Sequence, residues 1–202
     1  MIKELQGCGD NAVATLQANV SIPEGMTQEG HYHVVCRDKD GNLKWEDDIP
    51  NLVVAGGKQL MLDTLLRGSA YSVTGPFLGL TKVSLTPAAA DTMTTLVTTN
   101  AGEFINYTVG GSAVRGTAVF AASTSSGTTP SNVTTSAATA ITYTITGAGG
   151  TVYGCFLVLG AGAVNTQSST AGTLYSEGNF AVAKVTTSGD TVSVTYSTTA
   201  TS

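Results

Sequence analysis

The sequence predicts a mainly β protein: a β-sandwich or jelly-roll-like domain with an N-terminal arm, a β-hairpin and one short α-helix. Three observations carry this. Short β-prone runs recur from residue 71 onward with turn residues between them. One segment, 31–47, has the form strand, Asp-Gly turn, strand. Only one stretch, Lys58–Arg67, repeats its apolar residues with helical spacing.

In chain order, residues 1–29 are weakly patterned. Gly7 and Gly9 stop any helix begun at Met1–Leu5, and Ser21-Ile22-Pro23-Glu24-Gly25 is a turn. This segment is expected to be an arm, either a loosely ordered terminus or an extended segment that reaches a neighbouring subunit, followed by a single β-rich domain over 30–202. In the hairpin, His31, His33 and Val35 share one strand face, and Tyr32, Val34 and Cys36 the other. Asp40-Gly41 predicts a primed turn, which needs positive φ. Pro50 then breaks the ladder, because it has no N–H to give. Leu52-Val53-Val54 is a short strand, and Gly56-Gly57 leads into the helix 58–67. Met61, Leu62, Leu65 and Leu66 form its expected core stripe, with Gly68 as C-cap.

The sandwich is expected over about 71–198. Pro76–Leu80 reads as a buried strand, Phe104–Val109 as another, and Val114–Phe120 as a third. A Ser/Thr/Gly/Pro loop follows at Ser123–Ser131. Ile141–Thr146 alternates, with Ile141, Tyr143 and Ile145 facing inward and Thr142, Thr144 and Thr146 outward. Thr151–Leu159 is almost entirely apolar, as in a central strand covered on both faces. Phe180–Val185 and Thr191–Tyr196 are the last two strands. No repeat of fixed period is present.

Charge is distributed unevenly. Charged residues make up 11% of the chain, against about 25% in an ordinary soluble domain. Only Asp91, Glu103, Arg115, Glu177, Lys184 and Asp190 follow Val83, and Gly116–Ser176 carries none. An uncharged surface of that extent points to contact with other protein. The candidate contact surface is the loop around Ser123–Ser136 together with Thr142, Thr144 and Thr146, with Trp45 as a core or interface anchor. The net charge of −5 and pI of about 4.8 argue against nucleic-acid binding. No run reaches the roughly 18 apolar residues of a membrane span. The N-terminus lacks the apolar core of a signal peptide, so the chain is expected to be made and kept in a cytoplasm until it joins an assembly. Cys8, Cys36 and Cys155 are an odd, widely spaced set and are expected to be free thiols.

Catalytic and ligand motifs are sparse, and neither a catalytic residue nor a cofactor is expected. His31-x-His33 places two imidazoles on one strand face, a weak metal pair that Asp47 or Asp48 would have to complete. Asp38-x-Asp40-x-Asn42 opens like a calcium loop, but Ile49 stands where its bidentate Glu belongs. Gly160-Ala161-Gly162-Ala163 lacks the rest of a dinucleotide fingerprint and reads as a loop. Asp91, Glu103, Glu177 and Asp190 lie far apart in sequence, with no aromatic platform to mark a sugar subsite.

The hairpin Arg37–Glu46 followed by Asn51-Leu52-Val53-Val54-Ala55-Gly56-Gly57-Lys58-Gln59-Leu60 resembles a pattern in structural proteins of tailed bacteriophages, where a DxxGNL hairpin precedes an HNLVV…G strand–helix step. This chain has Pro50 where that pattern often has His. The segment Tyr71–Leu80 and the Thr/Gly-rich β region share the family's texture. The resemblance implies a non-enzymatic virion component assembled in a host bacterial cytoplasm. Its implied partners are the major capsid protein, other virion proteins and further copies of itself, with a trimer as the expected symmetry. Capsid decoration or cementing is the first expectation, a tail or fibre-attachment role the second. A carbohydrate-binding β-sandwich is an alternative from another class.

Overall fold

A computed structural model describes residues 27–67, 73–124, 131–133 and 140–201. The expected arm lies almost wholly outside them, as do Gly68 and most of the Ser123–Ser136 loop.

Two antiparallel sheets face each other as a β-sandwich. The first contains β1 (Thr27–Arg37), β2 (Leu43–Pro50), β6 (Tyr107–Thr108), β9 (Ile141–Ile145) and β12 (Thr191–Thr201) in the order β2-β1-β12-β9-β6, with β8 (Ser131–Val133) also on β12. The second contains β3 (Leu52–Val53), β4 (Thr74–Thr81), β5 (Glu103–Phe104), β10 (Gly150–Gly160) and β11 (Thr173–Thr186) in the order β3-β11-β10-β4-β5, with β7 (Gly116–Thr117) also on β4. α1 (Ala55–Leu66) follows β3, and a short π-helical turn covers Thr95–Thr99.

Strand alternation sets the core. Tyr32, Val34 and Cys36 from β1 meet Ile141, Tyr143 and Ile145 from β9 and Val192, Val194 and Tyr196 from β12, all buried. They pack against Leu78, Leu80, Cys155 and Leu157 of the second sheet. Tyrosine hydroxyls join the layers: Tyr143 donates to the Leu78 carbonyl at 2.7 Å, and Tyr32 Oη lies 2.6 Å from Ser176 Oγ. The second sheet is covered on its other face too. There Phe156, Val158 and Leu174 pack under Leu85, Met93 and Leu96. This double cover explains the unbroken apolar run of β10.

Several local expectations need correction. The hairpin turn closes through Gly41 N–H to the Asp38 carbonyl, and Gly41 alone has positive φ, at 87°. That is a turn with a glycine bulge, not a primed turn, which needs positive φ at Asp40 as well. Pro50 still pairs with His31 at the end of β2, an edge strand where a missing N–H is tolerated. The stretch 104–109 is two strands in different sheets, because Ile105-Asn106 carries the chain across the sandwich. Of Val114–Phe120, only Gly116–Thr117 is strand. The helix begins earlier than expected, so Gly56 and Gly57 lie in its first turn. Its buried residues are Gly57 and Leu60, and Met61 is partly buried. Leu62, Leu65 and Leu66 face outward at 52%, 78% and 75% exposure. A Cβ on Gly57 would stand 2.4 Å from the Tyr175 carbonyl oxygen, so the glycine lets the helix lie directly on β11. That contact turns the leucine stripe away from the core.

Candidate interaction surface

The charged groups that follow Val83 are mostly turned inward. Of the six charges after Val83, Glu103, Arg115, Glu177 and Asp190 are buried, and Asp91 and Lys184 are half-buried. Arg115 pairs with Glu103, Asp190 with Lys44 at 28% exposure, and Lys184 with Asp47. Almost no charge is left for the outer surface of this part of the chain.

Among the four carboxylates that the sequence left scattered, Glu177 and Asp91 come close enough for one to act on the other. Burial, then the Asp91 carboxylate, pushes Glu177 from the ordinary 4.5 up to about 8, partly offset by the Ala88 N–H. Glu177 is therefore largely protonated at neutral pH. The pair was not legible, because nothing in its spacing ties residue 91 to residue 177.

The histidines do not converge. His33 Nδ1 lies 3.0 Å from Asp48 and its Nε2 3.4 Å from Glu46, so the two carboxylates occupy opposite sides of one ring. His31 is exposed opposite Pro50. Among the described residues no group of three or more His, Cys, Asp or Glu side chains can hold a metal. The Asp38 carboxylate accepts from Asp40 N–H, Asn42 N–H and the Asn42 amide; the Asn42 contacts hold it below the ordinary carboxylate range. Cys36 and Cys155 are free and buried. Burial, with Asp190 nearby, pushes the Cys36 thiol up to about 11, and burial raises Cys155 as well. Neither presents a thiolate for chemistry.

The outer face of the first sheet has two halves. Cross-strand register places Thr108, Thr144, Thr191 and Arg37 on one rung, and Thr142, Ser193, Val35 and Glu46 on the next. Thr195, His33 and Asp48 follow, then Ser197, His31 and Pro50. The β6–β9–β12 half is a charge-free array of hydroxyls, and the β1–β2 half carries the charge. Thr142 and Thr144 are exposed on the neutral half, and Thr142 Oγ1 lies 3.2 Å from Ser193 Oγ. Thr146 is half-buried just past the strand, its N–H donating to the Asn106 carbonyl. Trp45 is half-buried and held within the chain: its ring meets Phe180 edge-on at 5.6 Å, and its indole N–H donates to the Val185 carbonyl.

Two apolar features of the surface were not foreseen from the sequence. One is the outward orientation of the leucine stripe of α1, whose helical period was read but assigned to the core. The other is a pocket of about 270 Å³ lined by Pro76, Phe120, Leu157, Leu159, Tyr175 and Tyr196. The strand pattern marks several of these residues as apolar, but not that they enclose a space. No protein-family model, curated protein or solved structure matches the chain.

Proposed function

We propose that this chain is a non-enzymatic virion structural protein that decorates or cements a tailed-bacteriophage capsid through protein–protein contacts, with the major capsid protein as principal partner. The observation that carries this reading is the inward placement of charge. Four of the six charges that follow Val83 are buried, and the hydroxyl face of β6, β9 and β12 is left neutral. Interface centres are depleted of charge in the same way. A flat face of short hydroxyl side chains can approach a neighbour closely and exchange hydrogen bonds with it while ordering few long side chains. The resemblance of the hairpin and the strand–helix step to tailed-phage structural proteins supplies the biological setting.

Quantitative mass spectrometry of purified particles tests the reading. A copy number on the scale of the capsid lattice supports decoration, a small copy number moves the protein to the tail, and absence from the particle ends both readings. Thr142→Lys with Thr144→Lys should leave the isolated fold intact, since both side chains are exposed. The same pair should reduce occupancy on particles at least tenfold; unchanged occupancy would remove this face from the attachment surface.

A further inference from the structure

The leucine stripe and the aromatic pocket adjoin each other. Tyr175 lines the pocket, and its hydroxyl donates to Met61 Sδ on α1 at 3.6 Å. Gln28 donates to the same hydroxyl at 2.8 Å and, with Lys58, Met61 and Leu62, lines a second hollow of about 230 Å³. An apolar strip thus runs from the pocket across Met61 to Leu62, Leu65 and Leu66. One end is a recess and the other a projection, and no charged residue lines the first pocket.

We propose that this strip is a two-fold self-association surface, in which Leu62, Leu65 and Leu66 of each copy enter the pocket of the other. A two-fold axis brings the same patch of both copies together, so the patch must carry both a projection and its complement. This strip carries both, side by side. A closed ring needs its two halves on different flanks, so the contiguity replaces the expected trimer with a pair at this surface. The area fits a modest affinity. Each leucine offers roughly 100 Å² of apolar surface. Three given and three received by each copy, with the pocket wall that meets them, total on the order of 1,000 Å², near the lower edge of specific interfaces. Such a pair would form at micromolar concentration. The inference does not depend on the virion reading: self-association is measured on the isolated chain, and particle occupancy on the particle.

Sedimentation velocity of the full chain between about 1 and 100 µM tests it. The expected result is a shift from monomer to dimer across that range. Leu65→Glu with Leu66→Glu should abolish the shift while circular dichroism stays unchanged, since both side chains are exposed in the monomer. Phe120→Lys, which puts a charge on the receiving wall, should weaken the pair at least tenfold in Kd with the fold intact by the same measure. A wild-type chain that stays monomeric at 100 µM overturns the proposal and leaves the stripe to another occupant, such as a capsid protein or the chain's own N-terminal residues. A dimer that survives the leucine variant, or one that breaks with the leucines but not with folded Phe120→Lys, also overturns it.

Discussion

Arg115 grips Glu103 at two points: Nε to Oε1 at 2.8 Å and Nη2 to Oε2 at 2.7 Å, with the guanidinium at 0% exposure. The pair reaches beyond itself. Arg115 Nη2 donates to the Ser169 carbonyl at 2.7 Å, and Glu103 Oε2 accepts from the Ser168 N–H at 2.8 Å. Ser168 sits at a φ of 62°, a conformation that costs a non-glycine residue energy and needs such support. The ion pair therefore fixes the 161–172 connection between β10 and β11.

Breaking this pair on one side leaves a buried charge without its counter-ion. Arg115→Met or Glu103→Gln is expected to cost about 3–5 kcal/mol. Arg115→Met combined with Glu103→Leu removes both charges but still strands the Ser168 N–H and the Ser169 carbonyl. The double variant should recover part of the loss, not all of it. Urea unfolding of the three variants measures this; single losses below about 1 kcal/mol would contradict the structural role.

Gly57 sets helix propensity against packing. Alanine in a helix interior is better than glycine by about 1 kcal/mol. At Gly57 the added Cβ would meet the Tyr175 carbonyl oxygen at 2.4 Å, and a strand backbone cannot step aside as a flexible side chain can. Gly57→Ala is expected to lose about 1–3 kcal/mol despite the propensity gain. Gly56→Ala meets the Thr173 methyl at 3.1 Å and the Leu174 carbonyl only at an ordinary 3.7 Å, and should lose less. Thermal unfolding of both decides it: a Gly57→Ala protein as stable as wild type would show that α1 does not rest on β11.

These two sites mark where the sequence stops being readable. The alternation of Ile141–Ile145 was legible because strand period is local and each side chain's face follows from its neighbours. The apolar run of β10 and the hairpin were legible for the same reason, and so was the paucity of surface charge. The face that α1 buries depends instead on a carbonyl in β11, and on the absence of a Cβ at Gly57. The apolar period of Leu62, Leu65 and Leu66 is real, but period alone does not say whether the covering partner belongs to the same chain. Arg115 has no motif relation to Glu103, nor Glu177 to Asp91. In both cases the fold brings together titratable groups whose distance in sequence conceals the relation.

The Glu177–Asp91 contact makes stability depend on pH with a defined sign. Burial and the Asp91 carboxylate raise Glu177 from 4.5 to about 8, so the folded state holds a proton that the unfolded state releases above 4.5. Its contribution is fully present below pH 4.5, falls as pH rises through the window from 4.5 to about 8, and is gone above it. The slope from this one group is at most about 1.4 kcal/mol per pH unit. Glu177→Gln keeps the shape of the side chain but cannot ionise. The difference in unfolding free energy between the variant and wild type should therefore grow in the variant's favour from pH 5 to pH 8 and level off beyond. Calorimetry of the two proteins across this range provides the measurement, and parallel stability curves would show that Glu177 is ionised in the fold at neutral pH.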